Sequence, residues 1–136
     1  MERYTIIGDF CDSEEKEIAL KLFLEEWEVR DGIIYEAGTE DEILQDNIYG
    51  IDDYSDDNKY RVLTDYEADE AEDQYLDNYI DECVLEGKSG TLAAYFDRDA
   101  FKKDARMDGR GHSLSSYDGE ENEIEINGTM YFIYRQ

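Results

Sequence analysis

The chain has 136 residues, 38 acidic and 13 basic, for a net charge of −25 at pH 7. An apolar fraction of 40% with 13% aromatics excludes a disordered acidic tail, because such tails lack the surface whose burial offsets chain entropy. So large a negative charge argues against direct binding to nucleic acid or an anionic membrane and favours cationic partners, either metal ions or proteins with basic grooves.

RYTIIG (3–8) reads as a short strand. Asp12 with Glu15 forms a capping box that opens an amphipathic helix to about Trp27. VRDGIIY (29–35) carries Asp31-Gly32, a tight-turn signal between two strands. Thr39 with Glu42 is a second capping box, for a short helix to about Asp46. DDYSDDN (52–58) reads as a polar loop and KYRVL (59–63) as a strand. Thr64 with Glu67 is a third capping box. In the helix it opens, Ala68, Ala71, Tyr75, Leu76, Tyr79, Ile80 and Cys83 fall at helical spacing, and Gly87 is a natural stop. Short helices are expected at 91–96 and 98–107, the second capped by Asp97. In ENEIEINGTMYFIYR, Asn127-Gly128 between alternating segments marks a hairpin, assigned to fold stability.

These elements predict an α+β fold: a small mixed domain with an acidic amphipathic central helix and a C-terminal β-hairpin. The chain divides near residue 63 into an N-terminal α+β part (1–63) and a C-terminal part (64–136), or forms one domain overall.

The charge is not spread evenly. Residues 36–86 hold 19 acidic residues and two basic ones, Lys59 and Arg61. Every fourth residue from 65 is an aspartate: Asp65, Asp69, Asp73, Asp77 and Asp81. Like charges four apart on a helix repel by a few tenths of a kcal/mol per pair. Residues four apart rise about 6 Å along the axis, and the row together with its flanking glutamates approaches the spacing and density of phosphates on a nucleic-acid strand, about 3.4 Å apart. A rigid helix carrying such a row can present carboxylates to a groove shaped for DNA. Glu67, Glu70, Glu72 and Glu82 flank the row, and Asp52, Asp53, Asp56 and Asp57 extend it. The alternative is a solvated acidic face.

YLDNYIDECVLEG followed by YFDRDAFKKDARMDG resembles the C-terminal domain of the ArdA-type antirestriction proteins, over residues 66–109. The shared core is Tyr95, Phe96, Asp97, Ala100, Phe101 and Asp104, followed by a β-rich tail. HSLSSYDGEENEI is also similar to small acidic phage proteins. The resemblance implies an anti-defence protein of a phage or mobile element: an elongated, homodimeric DNA mimic that blocks restriction–modification enzymes, with no catalytic residues. Its expected partner is a host DNA-binding defence protein with a basic groove, a CRISPR effector being the second candidate target. The expected location is the bacterial host cytoplasm. MERYTIIGDF carries no charged-then-apolar signal pattern.

Two rival readings follow from other residues. A calcium-regulated protein would use 53–64 as an EF-hand loop, but positions 6 and 12 are Asn58 and Thr64 in place of Gly and Glu. An acidic interaction module would bind through tyrosines 4, 35, 49, 60, 66, 75 and 79, most of which are expected in packing roles. Cys11 and Cys83 are expected as buried apolar residues. His112 lies near Ser113 and Ser115, but no third group orients it for catalysis. No cofactor and no metal are expected.

Overall fold

The C-terminal strand is the centre of the fold. A computed structural model describes residues 2–55, 57–84 and 96–136. Its elements are β1 (Glu2–Tyr4), α1 (Asp12–Phe23), β2 (Trp27–Arg30), β3 (Ile33–Glu36), a 3₁₀ turn (Gln45–Asn47), β4 (Tyr54–Ser55), β5 (Tyr60–Thr64) and α2 (Asp65–Tyr79). A π-helical turn (Ile80–Val84) follows, then α3 (Arg98–Met107), α4 (Arg110–Leu114), β6 (Asn122–Ile126) and β7 (Thr129–Arg135). The fold is α+β. The helix expected at 91–96 and the stop at Gly87 lie at least partly outside the described residues.

One sheet has the strand order β1-β6-β7-β5-β4, with β1 parallel to β6 and the other pairs antiparallel. Strands from both sides of residue 63 share this sheet, so 1–63 and 64–136 are not separate units. β7 pairs on both edges and is covered on both faces. Tyr131 and Ile133 join Val62, Ile124 and Ile126 in a cluster with Ile18, Ala19, Leu20 and Leu22 of α1. Phe132 and Tyr134 pack with Leu63, with Ala68 of α2 and with Leu114 of α4. The unbroken apolar run MYFIY is the mark of such a doubly covered strand.

Local chemistry explains most boundaries. Asn127 (φ 49°) and Gly128 (φ 85°) make the two-residue turn between β6 and β7, and Asp31 (φ 51°) and Gly32 (φ 79°) make that between β2 and β3. At the start of α2, Thr64 Oγ1 accepts from the Glu67 N–H at 3.3 Å. The Glu67 carboxylate accepts from the Thr64 N–H at 3.0 Å. Asp97 accepts from the Ala100 N–H at 3.0 Å and caps α3 as expected.

Three boundary expectations are corrected. α1 starts one residue earlier, with Glu14 accepting from the Cys11 N–H at 3.2 Å. It ends at Phe23, because Glu25 (φ 60°) closes it: Glu26 N–H bonds Lys21 C=O in the 6→1 pattern. No α-helix forms at 39–46, where the one helical feature is the start of the 3₁₀ turn at Gln45. Thr39 Oγ1 closes a turn onto the Glu36 carbonyl at 2.8 Å, and Ile43 N–H bonds Ile34 C=O, so this segment runs extended along β3. Conversely Arg110–Leu114, where no element is expected, forms α4.

Candidate functional site

The aspartate row exists as a geometric object on α2 and its terminal turn, and it is not free. Four cations at the same four-residue spacing meet it from the antiparallel direction. Arg98 contacts Asp81, and Asp77 at 3.3 Å. Lys102 Nζ lies 2.9 Å from Asp77 and 3.0 Å from Asp73. Arg106 reaches Asp73 at 2.8 Å. Arg110 Nη1 donates to Asp65 at 2.8 Å and to Asp69 at 3.0 Å. This corrects the expectation of an uncompensated row. Each repulsive i,i+4 pair from Asp65 to Asp81 except Asp69–Asp73 has one cation set between its members.

The pairing is lopsided in exposure. Lys102 and Arg110 side chains are 12% and 15% exposed, whereas those of Asp65 and Asp69 remain 70% and 67% exposed. Lys102 and Arg110 therefore hold their carboxylates from beneath, whereas Arg98 and Arg106 are about as exposed as the aspartates they meet. Arg110 is the anchor of this arrangement. Its Nε donates to Glu121 at 2.9 Å, its guanidinium lies 4.4 Å from the centre of the Phe132 ring, and Glu121 also accepts from the Tyr134 hydroxyl at 2.6 Å. The repeat 98, 102, 106, 110 is readable in the sequence and mirrors 81, 77, 73, 69; ending the expected helix at 107 left out its last member.

The flanking acids separate into different roles. Glu72 belongs to the buried stripe Ala68, Glu72, Leu76, Ile80 and is not a surface residue. Its Oε1 lies 3.3 Å from Arg106, and its Oε2 has no hydrogen-bond partner. Glu67 is engaged by Lys16 of α1 at 2.9 Å, and Lys16 itself is buried. Asp53 lies 3.8 Å from Lys16 and 3.6 Å from Arg61, so the first ligand position of the calcium-like loop faces cations of the chain. Glu70 accepts from the Tyr66 hydroxyl at 2.9 Å. Glu82, Asp52 and Asp57 are exposed, and Asp56 lies outside the described residues.

Protonation follows this wiring. The Lys102 ammonium beside Asp77 holds its carboxyl below the usual carboxylate range, against a smaller opposing effect of burial. Burial pushes Glu67 up, but the Thr64 N–H and Lys16 outweigh it and leave the carboxyl lowered. Burial dominates at Glu72 and raises its pKa, with Arg106 opposing. Glu15, buried on the other face of the sheet, is raised for the same reason, although the Tyr131 hydroxyl donates to it at 2.6 Å.

Of the tyrosines weighed as anchors, Tyr49, Tyr66, Tyr75 and Tyr79 are exposed and the other three half-buried, so packing does not absorb most of them. Tyr75, Tyr79 and Phe101 form a stacked series with centroids 6.5 and 5.9 Å apart. Cys11 and Cys83 are exposed, against expectation: Cys11 stands ahead of the first turn of α1, and the π-helical turn rotates Cys83 off the buried stripe. His112 is exposed on α4. Among the described residues no group of three or more His, Cys, Asp and Glu is placed to hold a metal ion, and no helix is long and apolar enough to cross a membrane. Compared with known protein families, with curated proteins and with solved structures, the chain matches none.

Proposed function

We propose that this protein is a non-catalytic anti-defence inhibitor of a phage or mobile element. It occupies the DNA-binding groove of a host restriction–modification enzyme in the host cytoplasm. The observation that carries this reading is the pair Asp65 and Asp69, two largely exposed carboxylates fixed from below by Arg110, whose side chain is mostly covered. Carboxylates held in advance lose little freedom when a cationic groove closes on them. The internal cations have a second consequence. A fixed arginine cannot diffuse away as a condensed counterion does, so binding through this row releases fewer ions than its formal charge implies.

The test is stoichiometric inhibition of DNA cleavage by a type I restriction enzyme. Replacing Asp65 and Asp69 together by Asn leaves Arg110 its Glu121 partner, so the fold persists while inhibition drops by about tenfold. Unchanged inhibition by a folded variant removes the row from the mechanism. A CRISPR effector, which also holds nucleic acid in a positive channel, is the second target to assay.

One observation favours a different reading, an acidic module that binds a protein through its tyrosines. Tyr66, Tyr75 and Tyr79 stand exposed on the same helix as the row. On that reading Tyr→Ala changes weaken binding more than Asp→Asn changes, and salt has little effect.

A further inference from the structure

A groove of about 630 Å³ lies on the far side of the molecule from the row, where the C-terminal end of α1, strand β2 and the β1–β6 edge of the sheet meet. Leu22, Phe23 and Trp27 supply its apolar wall, and Phe23 and Trp27 are only half-buried. Glu2, Glu25, Glu28 and Glu123 stand along it, and none of the described lining residues is basic. Among the described residues no ion pair is made by Glu25; Glu28 lies 3.5 Å from Arg30.

The groove also carries an open strand edge. The two-residue turn at Asp31-Gly32 makes Arg30 and Ile33 the bonded pair next to it, so Glu28 pairs inward with Tyr35. Ala37 N–H to Glu26 C=O, at 3.0 Å, keeps the same phase. Trp27 and Val29 therefore turn their N–H and C=O groups away from β3, and among the described residues nothing pairs with them.

We propose that this groove binds an extended, basic segment of a partner protein as an added strand on β2. Main-chain bonds to Trp27 and Val29 supply the pairing, and alternate apolar side chains rest on Phe23 and Trp27. Lysine or arginine side chains between them meet Glu2, Glu25, Glu28 and Glu123. The occupant is fixed by charge complementarity: an acidic or neutral strand would bring no cation to four carboxylates, and a second copy of this chain, at −25, would add repulsion. This inference does not depend on DNA mimicry, since a strand edge reads main chain and the row reads spaced charge.

Trp27 is the one tryptophan of the chain, so its emission reports the groove directly. The probe is the peptide acetyl-Lys-Val-Lys-Val-Lys-amide, titrated into the full-length protein. The expected result is a saturable blue shift, weakened about tenfold between low and physiological salt. The double change Glu25→Lys and Glu28→Lys abolishes the shift, with circular dichroism confirming the fold. In the wild-type protein, the same peptide N-methylated at alternate residues does not bind, because strand addition needs its N–H groups. The proposal is overturned by no shift at millimolar peptide, by equal binding of the N-methylated peptide, or by equal binding of acetyl-Glu-Val-Glu-Val-Glu-amide. It is also overturned if dilution alone moves the Trp27 emission, which would make a second copy the occupant.

Discussion

Lys102 of α3 faces Asp77 of α2 at 2.9 Å, with only 12% of the lysine side chain exposed. α3 has no fully buried residue, so it is fastened to α2 by charge and by the Phe101–Tyr79 stack, not by a core of its own. Lys102→Met keeps the stem and removes the cation from between Asp73 and Asp77. The expected result is a Tm lower by about 3–5 °C at low salt. The gap between wild type and variant narrows as salt screens the pairs. A gap that stays constant from low to high salt would show that packing, not charge, holds α3.

Arg110 has more partners and ties α4 to both α2 and the C-terminal sheet. Its partners differ in exposure: Glu121 is largely covered, whereas Asp65 and Asp69 stay solvated once the guanidinium is gone, so the loss falls below that of a fully buried pair, at about 2–3 kcal/mol. Arg110→Ala strips a cation from Glu121, Asp65 and Asp69 at once. Urea unfolding is expected to place its loss at that level, and Tyr134→Phe, which removes one hydroxyl from Glu121, at about 1–2 kcal/mol. Equal effects of the two changes would contradict the anchoring role given to the guanidinium.

The residue after that arginine has no room for a side chain. A Cβ on Gly111 would lie 2.6 Å from the Glu120 carbonyl carbon and from the Gly119 carbonyl oxygen, both rigid main chain. Gly111→Ala must therefore displace the 119–121 segment that delivers Glu121 to Arg110. Loss of cooperative unfolding, or a drop of about 2–3 kcal/mol, is expected by denaturant titration. An alanine variant as stable as wild type would mean that the 119–121 segment yields freely.

Much of this architecture was readable where a residue type admits one local reading. Thr64 with Glu67, Asp97, Asp31-Gly32 and Asn127-Gly128 each mark an element end that the structure keeps. What failed was tertiary. Glu72 sits in the apolar stripe of α2, and no local rule puts a carboxylate there; only Arg106, 34 residues on, makes it tolerable. Thr39–Glu42 satisfies the capping pattern, yet the pairing of 41–43 with β3 wins. The row itself was visible and its neutralisation was not, because the partners come from a separate helix. The end of α1 was hidden because a glutamate, not a glycine, takes the left-handed position there. Glu25→Gly should relieve that conformation and raise stability by about 1 kcal/mol, read by denaturant titration. A destabilised glycine variant would assign the Glu25 side chain a stabilising role that outweighs its backbone cost.

The shifted carboxyls pull stability in opposite directions with pH. Glu15 and Glu72 hold their protons more tightly when folded, so their penalty at neutral pH is relieved as pH falls towards the carboxylate range. Asp77 and Glu67 hold theirs less tightly, so the stability they contribute is present above the ordinary carboxyl values, about 4, and is lost as pH falls through their lowered ones. Falling pH also discharges a chain of net −25, which eases self-repulsion throughout. Tm should therefore climb from pH 7.5 to about 5 and fall below about 3.5. Glu72→Gln, which keeps an acceptor for Arg106 without a buried charge, should match or exceed wild type at pH 7.5 and lose that margin by about pH 5. A wild-type Tm that is flat or declining from 7.5 to 5 would mean that the pairs with Arg98, Lys102, Arg106 and Arg110 outweigh both the buried carboxyls and the net charge.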